Sequence, residues 1–385
     1  MSKLDFSTQD FEFRRKRVRE AMASAGLDWL VVIHPVSIHW LTGSDAKSYQ
    51  EFQCLLISAE PGDIIVLTRE GERSEFLDDA LVDQIWTFGM PEPEDPILLF
   101  EKVANSLGLK RARVGMEVPA YYLHPHHYVR MKQFLGEAQV AEPTNLIHDL
   151  KLVKSETELK YIREASRIAD IAMDAFVKAL REGVTELQLA GTVYQALFQN
   201  HSGMAASPIN LVSGPRAGFS HGAPTDRVLR RGDTGSIEYG AMFKRYTSTI
   251  GRQFCLGTPS PRAQELYDVV RRASDACIAE IRHGVPAVVP HLAAKRVIDD
   301  AGLGRGRVHT TGYGLAPGFP PTWGEPLHML GDSTYTLQAG MVITVEPPVF
   351  IGDEFLGARI IDNVLVTQNG AELLSRFSRD LIVID

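Results

Sequence analysis

Short apolar, β-branched runs punctuate the first part of the chain: Asp28 to Ile33 (DWLVVI), Phe52 to Ile57 (FQCLLI) and Asp63 to Leu67 (DIIVL). Each is bounded by Pro, Gly or Ser, and this pattern predicts strands. Helical spacing lies around them at Phe11 to Ala25 and Pro96 to Leu107, and Arg113 to Glu117 reads as a further strand. Such alternation predicts an α/β domain. Near residue 150 the pattern changes. Ser155 followed by Glu158 is a capping box, and it opens a long helix carrying Leu159, Ile162, Ile168 and Ile171. We therefore place domains at 1–152 and 153–385. In the second, helices are predicted at Glu186 to Gln199 and Ser260 to His283, ending near Gly203 and Gly284. Two strands joined around Met242 to Lys244 are predicted within Thr234 to Leu256, and another pair at Met341 to Phe350 and Ala358 to Thr367, linked through Gly352 and Gly357. The second domain is expected to be α+β.

Composition adds bounds. With 385 residues, 44% hydrophobic and 23% charged, either domain is able to bury a core. The formal charge of -8 provides no diffuse basic field, so nucleic acid is not an expected partner. Cys54, Cys255 and Cys277 form no CxxC and read as buried apolar positions in a reduced compartment. Met1 to Glu20 has no apolar export core, and no apolar run approaches the roughly 20 residues a membrane span needs. A cytoplasmic protein without membrane association is expected.

The chain contains no HExxH, GxSxG or P-loop, so candidate chemistry lies in scattered polar segments. These are SHGAP (Ser220 to Pro224), IEYGAMFKRYTSTIGRQF (Ile237 to Phe254), TTGYGL (Thr310 to Leu315), PPTWGEP (Pro320 to Pro326), VEPP (Val345 to Pro348) and ARIIDNVLVT (Ala358 to Thr367). In this order they resemble the creatinase/aminopeptidase P family over nearly the whole chain. The resemblance implies an α/β creatinase-like N-terminal domain followed by a catalytic domain of pita-bread fold. In the metallopeptidase members it also implies five ligands to two metal ions, Asp, Asp, His, Glu and Glu. Their places here are taken by Glu238, Thr249, Thr311, Glu346 and Ile361. Thr249, Thr311 and Ile361 supply neither carboxylate nor imidazole, so no metal and no other cofactor is expected.

The sequence is most similar to the metal-free branch of that family, which includes creatinase and ectoine hydrolase. The ectoine-hydrolase likeness rests on Glu238-Tyr239-Gly240-Ala241, Lys244-Arg245-Tyr246, Gly312-Tyr313, Pro320 to Glu325 and the WLTG of Trp40 to Gly43 followed by Gln53-Cys54. The chain departs from that enzyme by having Glu346, and from creatinase at Gly251 and Ile361. The resemblance implies hydrolysis of a non-peptide C–N bond in a small cyclic amidine. Alternatives are a guanidino compound, an Xaa-Pro dipeptide, or binding without catalysis on the same fold. An amidinium carbon is already electrophilic and would be repelled by divalent ions but attracted by carboxylates.

Glu238 is the expected base or nucleophile, set against a purely structural salt bridge with Arg252. His221 is the expected proton donor to the departing nitrogen. Glu346 is either a counter-charge, a second acid/base group, or a relic held by Arg359. Tyr246, Tyr313, Trp323 and Glu325, together with Arg359, are candidates to shape the substrate site, because aromatic faces and a carboxylate suit a flat cation. The family further implies a homodimer in which one subunit's N-terminal domain helps close its neighbour's site, making Trp40, Tyr49 and Phe52 candidates across that interface. The His124-Pro125-His126-His127 cluster reads as a solvated turn or helix start and is excluded from the site.

Overall fold

The computed structural model of the chain describes residues 2–45, 47–89, 91–119 and 121–385. They divide into two compact units, Met1–Lys151 and Leu152–Asp385. The first unit contains strands β1 (Trp29–Val32), β2 (Cys54–Ser58), β3 (Ile65–Arg69), β4 (Gln84–Phe88), β5 (Val114–Met116) and β6 (Gln139–Ala141), hydrogen-bonded in the order β4-β3-β2-β1-β5-β6. Burial on both faces explains why its central strands read as continuous apolar runs. Val31, Leu56 and Leu67 pack into one cluster, and Leu30, Val32, Leu55 and Val66 into another. The first helix begins at Thr8, ahead of the expected Phe11, because Ser7 and Asp10 form a capping box. His124 caps helix Pro125–Leu135, its Nδ1 accepting the His126 N–H at 3.1 Å.

The second unit is built on a nine-stranded sheet. Its strands are β7 (Asn210–Ser213), β8 (Thr234–Phe243), β9 (Tyr246–Leu256), β10 (Tyr313–Phe319), β11 (Thr322–His328) and β12 (Val342–Val345). A separate pair, β13 (Val349–Ile351) and β14 (Leu356–Ala358), precedes β15 (Asp362–Val366), β16 (Ala371–Leu373) and β17 (Ile382–Ile384). Strand order is β16-β15-β12-β10-β9-β8-β7, with β11 on β10 and β17 on β9. Helices Glu156–Ala179 and Glu186–Gln199 share a core with β8 and β9, in which Phe176 meets Phe254. Helices Pro261–Glu280 and Val288–Asp300 cover β12 and β15 through Val270, Ala294, Ile343 and Val364. The expected capping box is formed by Ser155 and Glu158, and Ser260 caps the helix at Pro261. The β8–β9 connection is a two-residue turn whose residues, Lys244 and Arg245, both have positive φ, 53° and 66°. That is the primed-turn geometry suited to a tight hairpin.

One expectation changes in a way that matters. Met341 to Phe350 is not one strand but two, because Glu346-Pro347-Pro348 interrupts it between β12 and β13. Two consecutive prolines cannot donate to a sheet ladder. The returning chain breaks opposite them, at Arg359 to Ile361, between β14 and β15. The result is a crease that frees Glu346 and Arg359 from strand alternation.

Arg252 on β9 anchors the returning chain. Its guanidinium pairs with Asp362 at 2.8 Å and donates to the Gly251 and Ile361 carbonyls, while Arg379 takes the second Asp362 oxygen at 2.7 Å. Arg252 and Asp362 are both buried. Removing one charge would leave the other without compensation, so Asp362→Asn is expected to cost about 3–5 kcal/mol. Urea denaturation of the full chain measures this loss.

Candidate active site

Glu238 stands near the middle of β8, directly opposite Asn210 on β7 and Gly251 on β9. It is 7% exposed. Its partner is Arg359, not Arg252: a guanidinium nitrogen of Arg359 lies 2.7 Å from Oε2. Asn210 Nδ2 donates to the same oxygen at 3.1 Å. The same guanidinium donates to the Ser220 carbonyl. Arg359 thereby ties the segment holding His221 to the carboxylate of Glu238. Gly222 seats that segment on β7, where a Cβ would fall 2.3 Å from Val212 and where the Gly222 carbonyl accepts the Leu211 N–H.

Glu346, at the crease, is 3% exposed. Thr344 donates to it at 3.2 Å, and Tyr313 also hydrogen-bonds to it. The Trp323 indole in turn donates to the Tyr313 hydroxyl at 3.0 Å. Gly312 allows this approach, since a Cβ there would meet the Thr344 carbonyl at 2.0 Å. Burial, reinforced by the charge of Glu238, pushes the Glu346 carboxyl well above the usual carboxylate range, against the pull of Arg359 and the two hydroxyls. Burial likewise raises Tyr313, with Glu346 and Glu238 adding to the effect. Two carboxyl groups thus share one guanidinium. Arg359 sits on Glu238, and it is at Glu346 that burial favours the protonated form.

Glu238, Asn210, His221, Tyr313, Trp323, Glu325 and His328 line a cavity of about 330 Å³. His221 is exposed at its edge, its ring 5.3 Å from that of His309. Burial lowers the pKa of both His309 and His328, favouring neutral imidazoles. Glu325 does not bring an uncompensated charge, because Lys154 pairs with it at 2.6 Å in full burial.

The remaining expected residues are placed elsewhere. Tyr246 is buried and donates to Glu158 at 2.7 Å, and it is not among the cavity's lining residues. Trp40 and Phe52 are buried in the cores of the first unit, Trp40 beneath the Arg14 guanidinium and Phe52 against Phe88. Their burial leaves little aromatic surface for a ligand. Tyr49 makes an edge contact with Tyr122. Asn210, Lys154, His309 and His328 were not anticipated. Asn210 had one signal, a polar residue inside the apolar run Ile209 to Val212.

These folds and the site define a class. The chain belongs to metallopeptidase family M24, whose model matches residues 160–368, and residues 14–153 match the creatinase/prolidase N-terminal domain. It is 26% identical over 373 residues to an Xaa-Pro dipeptidase of Pyrococcus horikoshii, covering 95% of this chain and 98% of that one. Among solved structures it is similar to the dipeptidase PepE of Mycobacterium ulcerans, with a TM-score of 0.85 and 27% identity over 98% of this chain and 99% of the other. It is also similar to an Xaa-Pro dipeptidase of Bacillus anthracis, with a TM-score of 0.83 and 25% identity over 97% and 100% of the two chains.

The family implies a metal, and the side chains at the ligand places do not suit one. Thr249 accepts from Asn363 Nδ2 at 2.8 Å, and the Asn363 carbonyl oxygen takes the Thr249 N–H and the Ser248 hydroxyl. Thr311 is hydrogen-bonded to His291 Nδ1 at 2.9 Å. Ile361 lies over Gly251, its backbone exchanging two hydrogen bonds with that glycine. A fixed guanidinium already neutralises Glu238. Among the described residues, no group of three or more His, Cys, Asp or Glu is arranged to hold a metal ion. Two divalent cations need several anionic or imidazole donors, and this set does not provide them.

The Glu346 shift has a pH signature. Stability from a carboxyl raised on folding is fully present below its unfolded value, about pH 4.3, and is lost as pH rises through the folded value. Glu346→Gln cannot ionise. Its melting temperature relative to the native chain should therefore climb as pH rises above about 5, as thermal denaturation across a pH series will show.

Proposed function

We propose that this M24-family hydrolase cleaves a C–N bond in a small cationic amidine, of the cyclic kind exemplified by ectoine, without a metal ion. The observation that carries the reading is the Glu238–Arg359 pair beside the buried carboxyl of Glu346, whose pKa is raised. It places a planar cation and two carboxyl groups where the family's metal chemistry needs an array of anionic donors. The cavity is small, with an aromatic wall of Tyr313 and Trp323. Lys154 is paired with Glu325 and Arg359 with Glu238, so neither brings an unpaired positive charge to repel a cationic head group.

In this reading Glu238 attacks the amidine carbon or activates the water that does so. The tetrahedral adduct then expels one nitrogen, which takes a proton as the C–N bond breaks. Where Glu238 is the nucleophile, loss of the amine leaves a glutamyl imidate that water then hydrolyses to the amide and the free carboxylate; where it activates water, the amide forms directly, so either route consumes one water and yields an amide and an amine. His221 at the cavity edge is the proton donor in this reading, and Glu346, its pKa raised by burial, is a second acid held behind the lining residue Tyr313. The N-terminal unit of a second copy is proposed to complete the site, with Tyr49, half-buried where Trp40 and Phe52 are buried, the aromatic residue it would bring.

A second reading, hydrolysis of Xaa-Pro dipeptides, is favoured by the names of the similar proteins. One screen separates the two. Purified protein should turn over cyclic amidines, with ectoine and 5-hydroxyectoine included, or guanidino acids, and should do so undiminished after chelation. Xaa-Pro turnover that vanishes on chelation and returns with a divalent metal would establish the second reading. Binding without product formation in every class would make the chain a non-catalytic member of the family.

Glu238→Gln should reduce turnover by roughly 10²–10⁴-fold. Because its partner Arg359 is buried, the variant should also lose about 2–4 kcal/mol of stability. Rates are therefore to be compared at a temperature where circular dichroism shows both proteins folded.

A further inference from the structure

The two oxygens of the Glu238 carboxylate are not equivalent. Oε2 accepts from Asn210 Nδ2 at 3.1 Å and forms the ion pair with Arg359, whose nitrogen lies 2.7 Å away. No described residue donates to Oε1, and it is not among the enclosed atoms that lack a partner. Glu238 lines the cavity, and Oε1 is its oxygen without a donor among the described residues.

The register explains how this comes about. Asn210 and Glu238 are directly opposed across the antiparallel β7–β8 pair, so their side chains leave the same face of the sheet. Arg359 reaches Oε2 from a third segment, the crease before β15, where the Ser220 carbonyl also holds it. The terminal torsion of a glutamate is broad and two-fold, so a carboxylate held by one donor can exchange its oxygens at little cost. A donor and a guanidinium charge from different segments, both on one oxygen, restrict that freedom. Asn210 is suited to this task, because its amide adds a donor without adding charge to a site where two carboxyl groups already share one guanidinium. The Glu238 carboxylate is the only side-chain group to which Asn210 donates among the described residues.

We infer that Asn210 is a positioning residue that, together with Arg359, fixes the plane of the Glu238 carboxylate so that Oε1 alone meets the substrate. This rests on the reading of Glu238 as the reacting group. Misplacing a reacting atom by about 1 Å can cost on the order of 10²-fold in rate, and that is the scale of effect expected.

The test combines crystal structures and kinetics of the full chain carrying Asn210→Leu or Asn210→Gln. Asn210→Asp, which keeps the shape but repels Oε2, replaces the leucine variant if that one does not fold. In the leucine or aspartate variant the Glu238 carboxylate should rotate so that Oε1 no longer points alone into the cavity. With the substrate class identified by the screen, kcat should fall roughly 10–100-fold while KM stays within about threefold. Asn210→Gln, which retains an amide donor, should recover much of the rate. An unmoved Glu238 carboxylate overturns the inference whatever the kinetics, and so does a rotated carboxylate with an unchanged kcat. If the carboxylate rotates but the native chain turns over none of the screened classes, Asn210 positions Glu238 as inferred and the hydrolase reading is what fails.

Discussion

A single guanidinium organises the site. Arg359 contacts Glu238 on β8 and the Ser220 carbonyl beside His221, and it stands close enough to Glu346 to lower that group's pKa. Three segments far apart in sequence therefore converge on one fixed positive charge. A guanidinium can serve them together because it is planar, permanently charged and offers several donors in fixed directions. Its own position depends on the crease at Glu346-Pro347-Pro348, which interrupts the sheet opposite it. Arg252 and Asp362 then hold the chain beyond the crease against β9.

Charge balance follows from that arrangement. One cation faces two acids, and burial makes it costly for both acids to ionise. The asymmetry is set by contact: Arg359 lies against Glu238, while burial and the neighbouring charge push the Glu346 carboxyl up. The family's metal site balances its anionic ligands with divalent ions. Here the same region is balanced by a side chain, and the former ligand places are closed by Thr249 with Asn363 and Thr311 with His291. Family membership and loss of the ligand set are thus compatible, since the sheet is retained while its electrostatic contents differ.

Much of the framework was legible because it depends on local rules. The apolar runs of β1 to β3 are buried on both faces, and Ser155 with Glu158 and Ser260 mark helix starts by capping chemistry. The altered ligand places at Thr249, Thr311 and Ile361 could be found because flanking glycines and prolines fix the alignment. Partners were harder. Arg252 and Arg359 are both arginines on strand-rich segments near Glu238, and only the three-dimensional crease decides that the second faces it. Lys154 meets Glu325 across 171 positions of sequence, a distance over which residue spacing carries no information. Tyr246 resembled a pocket residue by motif, yet its hydroxyl is used by Glu158.

The contact between Gly251 and Ile361 links two features that the sequence presents as independent. A Cβ on residue 251 would lie 2.7 Å from Ile361 Cγ1 and 3.0 Å from its branched Cβ. A β-branched side chain in a packed strand bridge has little room to retreat. The two places at which the chain departs from creatinase are therefore one steric unit. Residue 251 cannot gain a side chain while Ile361 stands over it, so any larger residue there requires a change at 361 as well.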